Sequence, residues 1–104
     1  LAVLAPERVA TLPQVPTSAE AGMPEVVVST WYGLLAPAGV RPEIIERLHA
    51  EVVKVMTTPE TKNKLAQIGQ DVTTSTPAEF GKFIRAEYEK WGRVIKDADI
   101  HVQQ

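Results

Sequence analysis

The stretch PQVPTSAEAG occupies residues 13–22, and the stretch STWYGLLAPAG occupies residues 29–39. In the first stretch, Thr17 and Glu20 have the spacing of a capping box, in which each side chain satisfies a free backbone amide of the other residue. Gly22 can then adopt the left-handed conformation that ends a helical turn. The first stretch therefore predicts about one turn of helix, held between extended segments.

The second stretch lies at the end of a predicted strand. β-Branched and aromatic residues run from Val26 to Leu35, between Pro24 and Pro37, which is typical of a strand bounded by turns. The apolar run Leu1–Ala5 is also consistent with a buried strand. Two shorter strands are predicted with less support, at residues 71–74 and 100–102.

Three helices are predicted after residue 41. Each begins with a proline at its first position, and Thr58 and Thr76 precede two of these prolines as hydroxyl caps. Apolar residues then recur at helical spacing. The helices are expected from Pro42 to Met56, from Pro59 to just before Gly69, and from Pro77 to Ala98. The whole pattern indicates an α/β chain with short strands, a mixed sheet and three helices.

Composition narrows the classes of function. The 104 residues are 44% hydrophobic and 23% charged, which is ordinary for a globular domain. The net charge of −2, with both signs interspersed, predicts no nucleic-acid partner. No apolar run approaches the roughly 20 residues of a membrane-spanning helix. Cysteine is absent, which excludes disulfides and thiolate chemistry.

No group of residues predicts catalysis. The two histidines, His49 and His101, are far apart in sequence, so a metal site is not expected. The chain contains no Gly-x-Ser-x-Gly motif, and its six glycines do not form a phosphate-binding loop. Acidic pairs such as Asp97 and Asp99 stand two residues apart, which places them on different faces of a helix. We therefore predict no enzymatic activity and no cofactor.

The order of three motifs resembles one family, the Bug-type solute receptors, which are the extracytoplasmic binding proteins of tripartite tricarboxylate transporters. The resemblance covers essentially the whole chain. The motifs are Leu12-Pro13-x-Val15-Pro16-Thr17-x-x-Glu20-x-Gly22, then Trp31-Tyr32-Gly33-Leu34-x-Ala36-Pro37-Ala38-Gly39, then Thr76-Pro77-x-Glu79-Phe80 continuing through Glu87 and Lys90-Trp91 to Ile95. Small departures occur at Leu4 and Ala5, where Thr or Ser is common, and at Asp99, where Gly is common.

The resemblance implies a type II periplasmic-binding-protein fold, with a ligand held in a cleft between two α/β lobes. This chain would be the C-terminal third of such a receptor. Residues 1–5 would form a hinge-crossing strand and residues 6–104 the closing part of the first lobe, with the N-terminal two-thirds absent. The resemblance also implies a periplasmic location, with an export signal peptide upstream of Leu1. Expected partners are a small carboxylate (a di- or tricarboxylate or an acidic amino acid) and the inner-membrane permease subunits.

Candidate ligand-binding residues lie where the second predicted strand ends. These are Thr30, Trp31 and Tyr32, with Thr17 and Ser18 behind them. Trp31 and Tyr32 are neighbours on a strand, so they point to opposite faces, and one can be core while the other lines a cleft. A purely structural role for all five residues is the competing interpretation.

A second class of function stays open from the sequence. Three capped helices on a small sheet could form a free-standing α+β protein-interaction or regulatory module that binds no solute. Exposed strand edges would also make dimerisation of the isolated chain plausible. A small enzyme is the least supported alternative.

Overall fold

A computed structural model describes residues 1–101, and its regular structure is helical. Helix α1 spans Pro42–Met56, helix α2 spans Pro59–Gln67 and helix α3 spans Pro77–Asp97. The three predicted helices are therefore confirmed, with ends within one residue of expectation. None of them is both long and apolar enough to cross a bilayer.

Local side-chain contacts explain where α2 and α3 begin. The Thr58 hydroxyl accepts a hydrogen bond from the Thr61 amide, at 3.3 Å. At α3 the capping box is complete: the Glu79 amide donates to the Thr76 hydroxyl at 3.2 Å, and the Thr76 amide donates to the Glu79 carboxylate at 2.8 Å. Helix α1 begins at Pro42 without a side-chain cap. These contacts join residues three apart, so the sequence alone could specify them.

The predicted strands are not present as strands in the part of the chain that the structure describes. No strand is assigned to the first three predicted segments, which are residues 1–5, 26–35 and 71–74. The fourth predicted strand is also absent at Ile100 and His101, and its last residue, Val102, lies outside the described residues. Within residues 1–101, the β-pairing consists of an isolated parallel bridge between Val3 and Thr17. A strand needs a neighbouring strand for its backbone hydrogen bonds, and these segments find too few partners within this chain. The predicted mixed sheet is therefore not confirmed.

The N-terminal segment is nevertheless ordered by specific contacts. The Val3 amide donates to the Pro16 carbonyl at 2.9 Å, and the Ser18 amide donates to the Val3 carbonyl at 2.8 Å. Arg8 binds the Glu20 carboxylate through two of its nitrogens, at 2.9–3.1 Å, and donates to the Pro13 carbonyl. The Arg8–Glu20 pair therefore closes the proline-rich connector into a loop.

The chain does not enclose a hydrophobic core of its own. Among residues 1–101 no apolar side chain is buried. The accessible surface is 8950 Å², whereas a folded monomer of this mass exposes about 5,800 Å². The radius of gyration is 17.0 Å, against about 13 Å for a compact domain of this length. The structure is thus an open layer of elements rather than a closed domain.

The open arrangement leaves one side of α1 uncovered. Ile45, His49 and Val53 face the rest of the chain and are half-buried, and α1 contacts α2. A second row at the same helical spacing stays exposed although all its members are apolar: Ile44, Leu48, Val52 and Val55. The two rows adjoin and form one broad stripe on α1, and an apolar stripe of this kind normally faces a protein core. The exposed row is the part of this stripe that the described residues leave uncovered.

Candidate functional site

The segment that carries Thr30, Trp31 and Tyr32 lies beside α3 and has no regular secondary structure. Tyr32 has 80% of its surface exposed, whereas Trp31 has 40%. Thr30 is also exposed. The neighbouring aromatic side chains therefore differ in environment.

Trp31 packs against α3 through two phenylalanines. Its ring meets Phe83 edge-on with 5.1 Å between centroids and Phe80 edge-on at 5.6 Å. Phe80 and Phe83 are stacked, with centroids 6.2 Å apart. Edge-to-face contacts at these distances are the favourable arrangement of aromatic pairs. We call Trp31, Phe80 and Phe83 the aromatic cluster.

Gly33 permits the close approach of this segment to α3. A Cβ atom built at Gly33 would collide with the Phe80 ring, whereas glycine leaves room for it. The backbone at Gly33 does not have a positive φ, so the requirement is one of space and not of backbone conformation.

A polar network extends along α3 from the aromatic cluster. The Lys90 ammonium donates to the Val27 carbonyl at 3.0 Å, which ties α3 to a residue 63 positions earlier. The same ammonium binds the Glu87 carboxylate at 3.2 Å. The other oxygen of Glu87 accepts a hydrogen bond from the Trp91 indole at 2.9 Å. Glu87 is thus held through both carboxylate oxygens, and its side chain is only 16% exposed.

These contacts favour the ionised form of Glu87. The hydrogen bond from Trp91 is the largest cause that holds its pKa below the usual 4.5, and desolvation by burial opposes it. Lys90 lowers the pKa further, and the indole of Trp31 contributes least in the same direction. A carboxylate that accepts hydrogen bonds and faces a cation retains its charge despite partial burial.

Thr17 and Ser18 lie in the interior of the N-terminal loop. Thr17 is 4% exposed, and its hydroxyl accepts a hydrogen bond from the Glu20 amide at 3.2 Å. Ser18 is 0% exposed, and its hydroxyl has no hydrogen-bond partner among the described residues. Thr17 and Ser18 are therefore buried, whereas Thr30 and Tyr32 are exposed.

Two shallow depressions have linings that do not include the aromatic cluster. One is at the start of α1, beside Arg41 and Arg47, and the other lies between His49 and Glu79. His49 contacts the Ser75 carbonyl through Nε2 at 2.9 Å, so it joins α1 to the connector before α3. No group of three or more acidic or histidine side chains is arranged to hold a metal ion within residues 1–101.

Sequence reasoning gave no role to Glu87 or Lys90. Both residues belong to the third motif, but solvated charges on a helix are the common case. Their spacing of three residues, followed by Trp91 four residues after Glu87, could have indicated a contact along the helix. The bond from Lys90 to Val27 could not be inferred, because it depends on how the extended segment lies on α3.

Comparison with known proteins places the chain in a family. The family model described as "Tripartite tricarboxylate transporter family receptor" matches residues 1–100. The chain therefore belongs to this receptor family, and the resemblance deduced from the three motifs is confirmed.

Individual relatives agree with this assignment. BugT of Bordetella pertussis is 33% identical over 97 residues, which cover 93% of this chain and 30% of BugT. The UPF0065 protein of the tcbD-tcbE intergenic region of Pseudomonas sp. strain P51 is 34% identical over 105 residues, covering 100% of this chain and 31% of that protein. The chain thus spans about a third of the length of these relatives.

A solved structure is similar to this chain in both fold and sequence. It is described as R. palustris Rpa4515 with adipate, and the TM-score is 0.79 at 32% identity. The similarity covers 96% of this chain and 33% of that one. The open layer of three helices seen here is therefore the arrangement found within a third of a larger structure.

Proposed function

We propose that this chain is the C-terminal third of an extracytoplasmic receptor that binds a small carboxylate for a tripartite tricarboxylate transporter. The observation that carries the proposal is the family match over residues 1–100, together with the similarity to a structure described as containing adipate. The ligand class is a di- or tricarboxylate or an acidic amino acid. The receptor acts by binding and not by catalysis, and it works in the periplasm with inner-membrane permease subunits.

The open architecture supports this assignment. The accessible surface is roughly half as large again as that of a compact monomer of this mass. The apolar row on α1 is also uncovered. Both features are expected of a segment that packs against further parts of a larger protein. The remaining two-thirds of a receptor would supply that cover. In this arrangement residues 1–5 form a strand crossing the hinge of a type II binding-protein fold, and the rest of the chain closes the first lobe.

We place the ligand contacts at residues 30–32, in the segment that packs beside α3. Thr30 and Tyr32 expose side chains that can donate hydrogen bonds to a carboxylate. Trp31, packed in the aromatic cluster, supplies the wall beside them. Thr17 and Ser18 stand behind this surface, where their contribution is to the loop that supports it.

The first experiment measures the intact mass of the native polypeptide. An intact mass about three times the 11.4 kDa of this chain is expected, since the matched relatives are about that long. A native mass of 11.4 kDa would contradict the receptor assignment and favour a free-standing interaction module.

The second experiment measures binding. Calorimetric titration of the native polypeptide with adipate, citrate and glutamate should give saturable binding of at least one of them. The isolated 104-residue chain is the control, and it should bind none tightly because half of the cleft is missing. Absence of binding to every compound in a wider panel of carboxylates would overturn the proposed ligand class.

A further inference from the structure

We propose that Glu87, acting through Lys90, is a positioning residue that fixes the segment of residues 26–33 on α3 and so presents Thr30 and Tyr32 to the ligand. The part that concerns ligand binding rests on the function proposed above. The part that concerns positioning rests only on contacts seen in the structure.

Three contacts among the described residues attach the segment to the rest of the chain. The Val28 amide donates to the Leu4 carbonyl at 2.8 Å. The Val27 carbonyl accepts from the Lys90 ammonium at 3.0 Å. Trp31 then packs edge-on against Phe80 and Phe83. Thr30 lies between these attachments and Tyr32 directly follows them, so their orientation depends on all three.

The attachment by Lys90 depends on Glu87. A lysine side chain is flexible, and its ammonium group stays at one acceptor only when other groups hold it there. Glu87 provides this hold with one oxygen at 3.2 Å, while its second oxygen is fixed by the Trp91 indole at 2.9 Å. Partial burial of both Glu87 and Lys90 limits competition from water.

Among residues 1–101 the segment has no ladder of the backbone hydrogen bonds that would order a strand, so its order depends on these three contacts. Loss of the Glu87 charge should release the ammonium and increase the fraction of molecules in which the segment is detached. Ligand affinity falls in proportion to the fraction that remains competent. If the fraction of molecules with the segment attached fell to between about a third and a tenth of its wild-type value, binding would weaken by about three- to tenfold.

The test uses the native polypeptide with Glu87→Gln, which keeps the size of the side chain and an acceptor for Trp91 but removes the charge. Lys90→Met is the second variant, because it keeps the alkyl stem and removes the donor to Val27. Glu89→Gln is the matched control: it makes the same charge change on an exposed position of α3, about 200° around the helix from Glu87.

Two quantities are measured, and they separate the two parts of the inference. The first is amide hydrogen exchange of the peptide covering residues 26–33 without ligand. The second is adipate affinity by calorimetry. In Glu87→Gln and Lys90→Met, affinity is expected to fall about three- to tenfold. Exchange is expected to rise towards the rate of an unprotected peptide, because about two-thirds to nine-tenths of the molecules then have the segment detached. Glu89→Gln should resemble the wild type in both quantities.

Unchanged exchange in both variants would overturn the positioning role. An equal rise over the whole chain would also overturn it, because that result describes a general loss of stability. If the wild type binds adipate and the variants show faster local exchange with unchanged affinity, the segment does not present the ligand residues. If no carboxylate binds the wild type but exchange rises locally as expected, the proposed function fails and the positioning role is supported.

Discussion

Replacing Gly33 by alanine tests whether the segment of residues 26–33 is in contact with α3. The added Cβ would overlap the ring of Phe80, which is itself confined by Trp31 and Phe83. Either the ring or the segment must therefore move. Overpacking of this kind costs about 1–3 kcal/mol, whereas replacing glycine stabilises by about 0.4–1 kcal/mol through the unfolded state.

The expected net effect of Gly33→Ala is a destabilisation of about 1–2 kcal/mol. Urea unfolding of the native polypeptide, followed by tryptophan fluorescence, measures it directly. With an m value of about 2 kcal/mol per molar, the midpoint should fall by about 0.5–1 M. The emission of Trp31 should also change in the folded state, because its aromatic neighbours are displaced.

Gly92→Ala is the matched control for this prediction. Gly92 lies on the exposed side of α3, and a Cβ there meets nothing within 4 Å. Alanine should stabilise this helix position by about 0.5–1 kcal/mol. A Gly33→Ala variant that is as stable as the wild type, beside a normal response at Gly92, would refute the proposed packing of the segment on Phe80.

Three further predictions concern single contacts. Thr76→Ala should destabilise the protein by about 1 kcal/mol in urea unfolding because α3 loses its cap, and Thr76→Ser should restore most of this; equal stability of the two variants would contradict it. Ser18→Ala should stabilise by about 1 kcal/mol, since it removes a buried hydroxyl without a partner, and a loss of stability would show that the hydroxyl is bonded. Hydrogen bonds lower the pKa of Glu20 (chiefly from Arg8), Glu79 (from Thr76) and Glu87 (from Trp91). The stability that these contacts contribute should be complete above the usual carboxyl pKa of 4.5 and should disappear as the pH falls through the lowered pKa of each carboxylate. A melting temperature that stays constant from pH 6 to pH 2 would argue against these contacts.

The helices were predictable because their start and end are encoded by neighbours in sequence. Thr76 and Glu79 satisfy each other's backbone amides three residues apart, and proline opens each of the three helices. The family could be deduced for a related reason, since its motifs combine local turns and caps in a fixed order. The ligand-binding role of Thr30, Trp31 and Tyr32 stays a prediction.

The strands could not be settled in this way. An extended segment with β-branched residues becomes a strand only when a neighbour accepts and donates its backbone hydrogen bonds. The segment from Val26 has the composition of a strand, yet within this chain it is fixed by the Leu4 carbonyl, the Lys90 ammonium and the aromatic cluster. Composition describes what a segment is suited to form and not which partner is present.

The sequence by itself thus determined the three helices, the capped turn at Thr17 and the family, because these depend on contacts within a few residues or on the order of motifs. The tertiary structure alone decided which apolar faces are covered, that Arg8 closes on Glu20 twelve residues away, and that Lys90 reaches Val27 across 63 residues. The physical reason is distance along the chain. Contacts between remote residues depend on the path of everything between them, and no local pattern records that path.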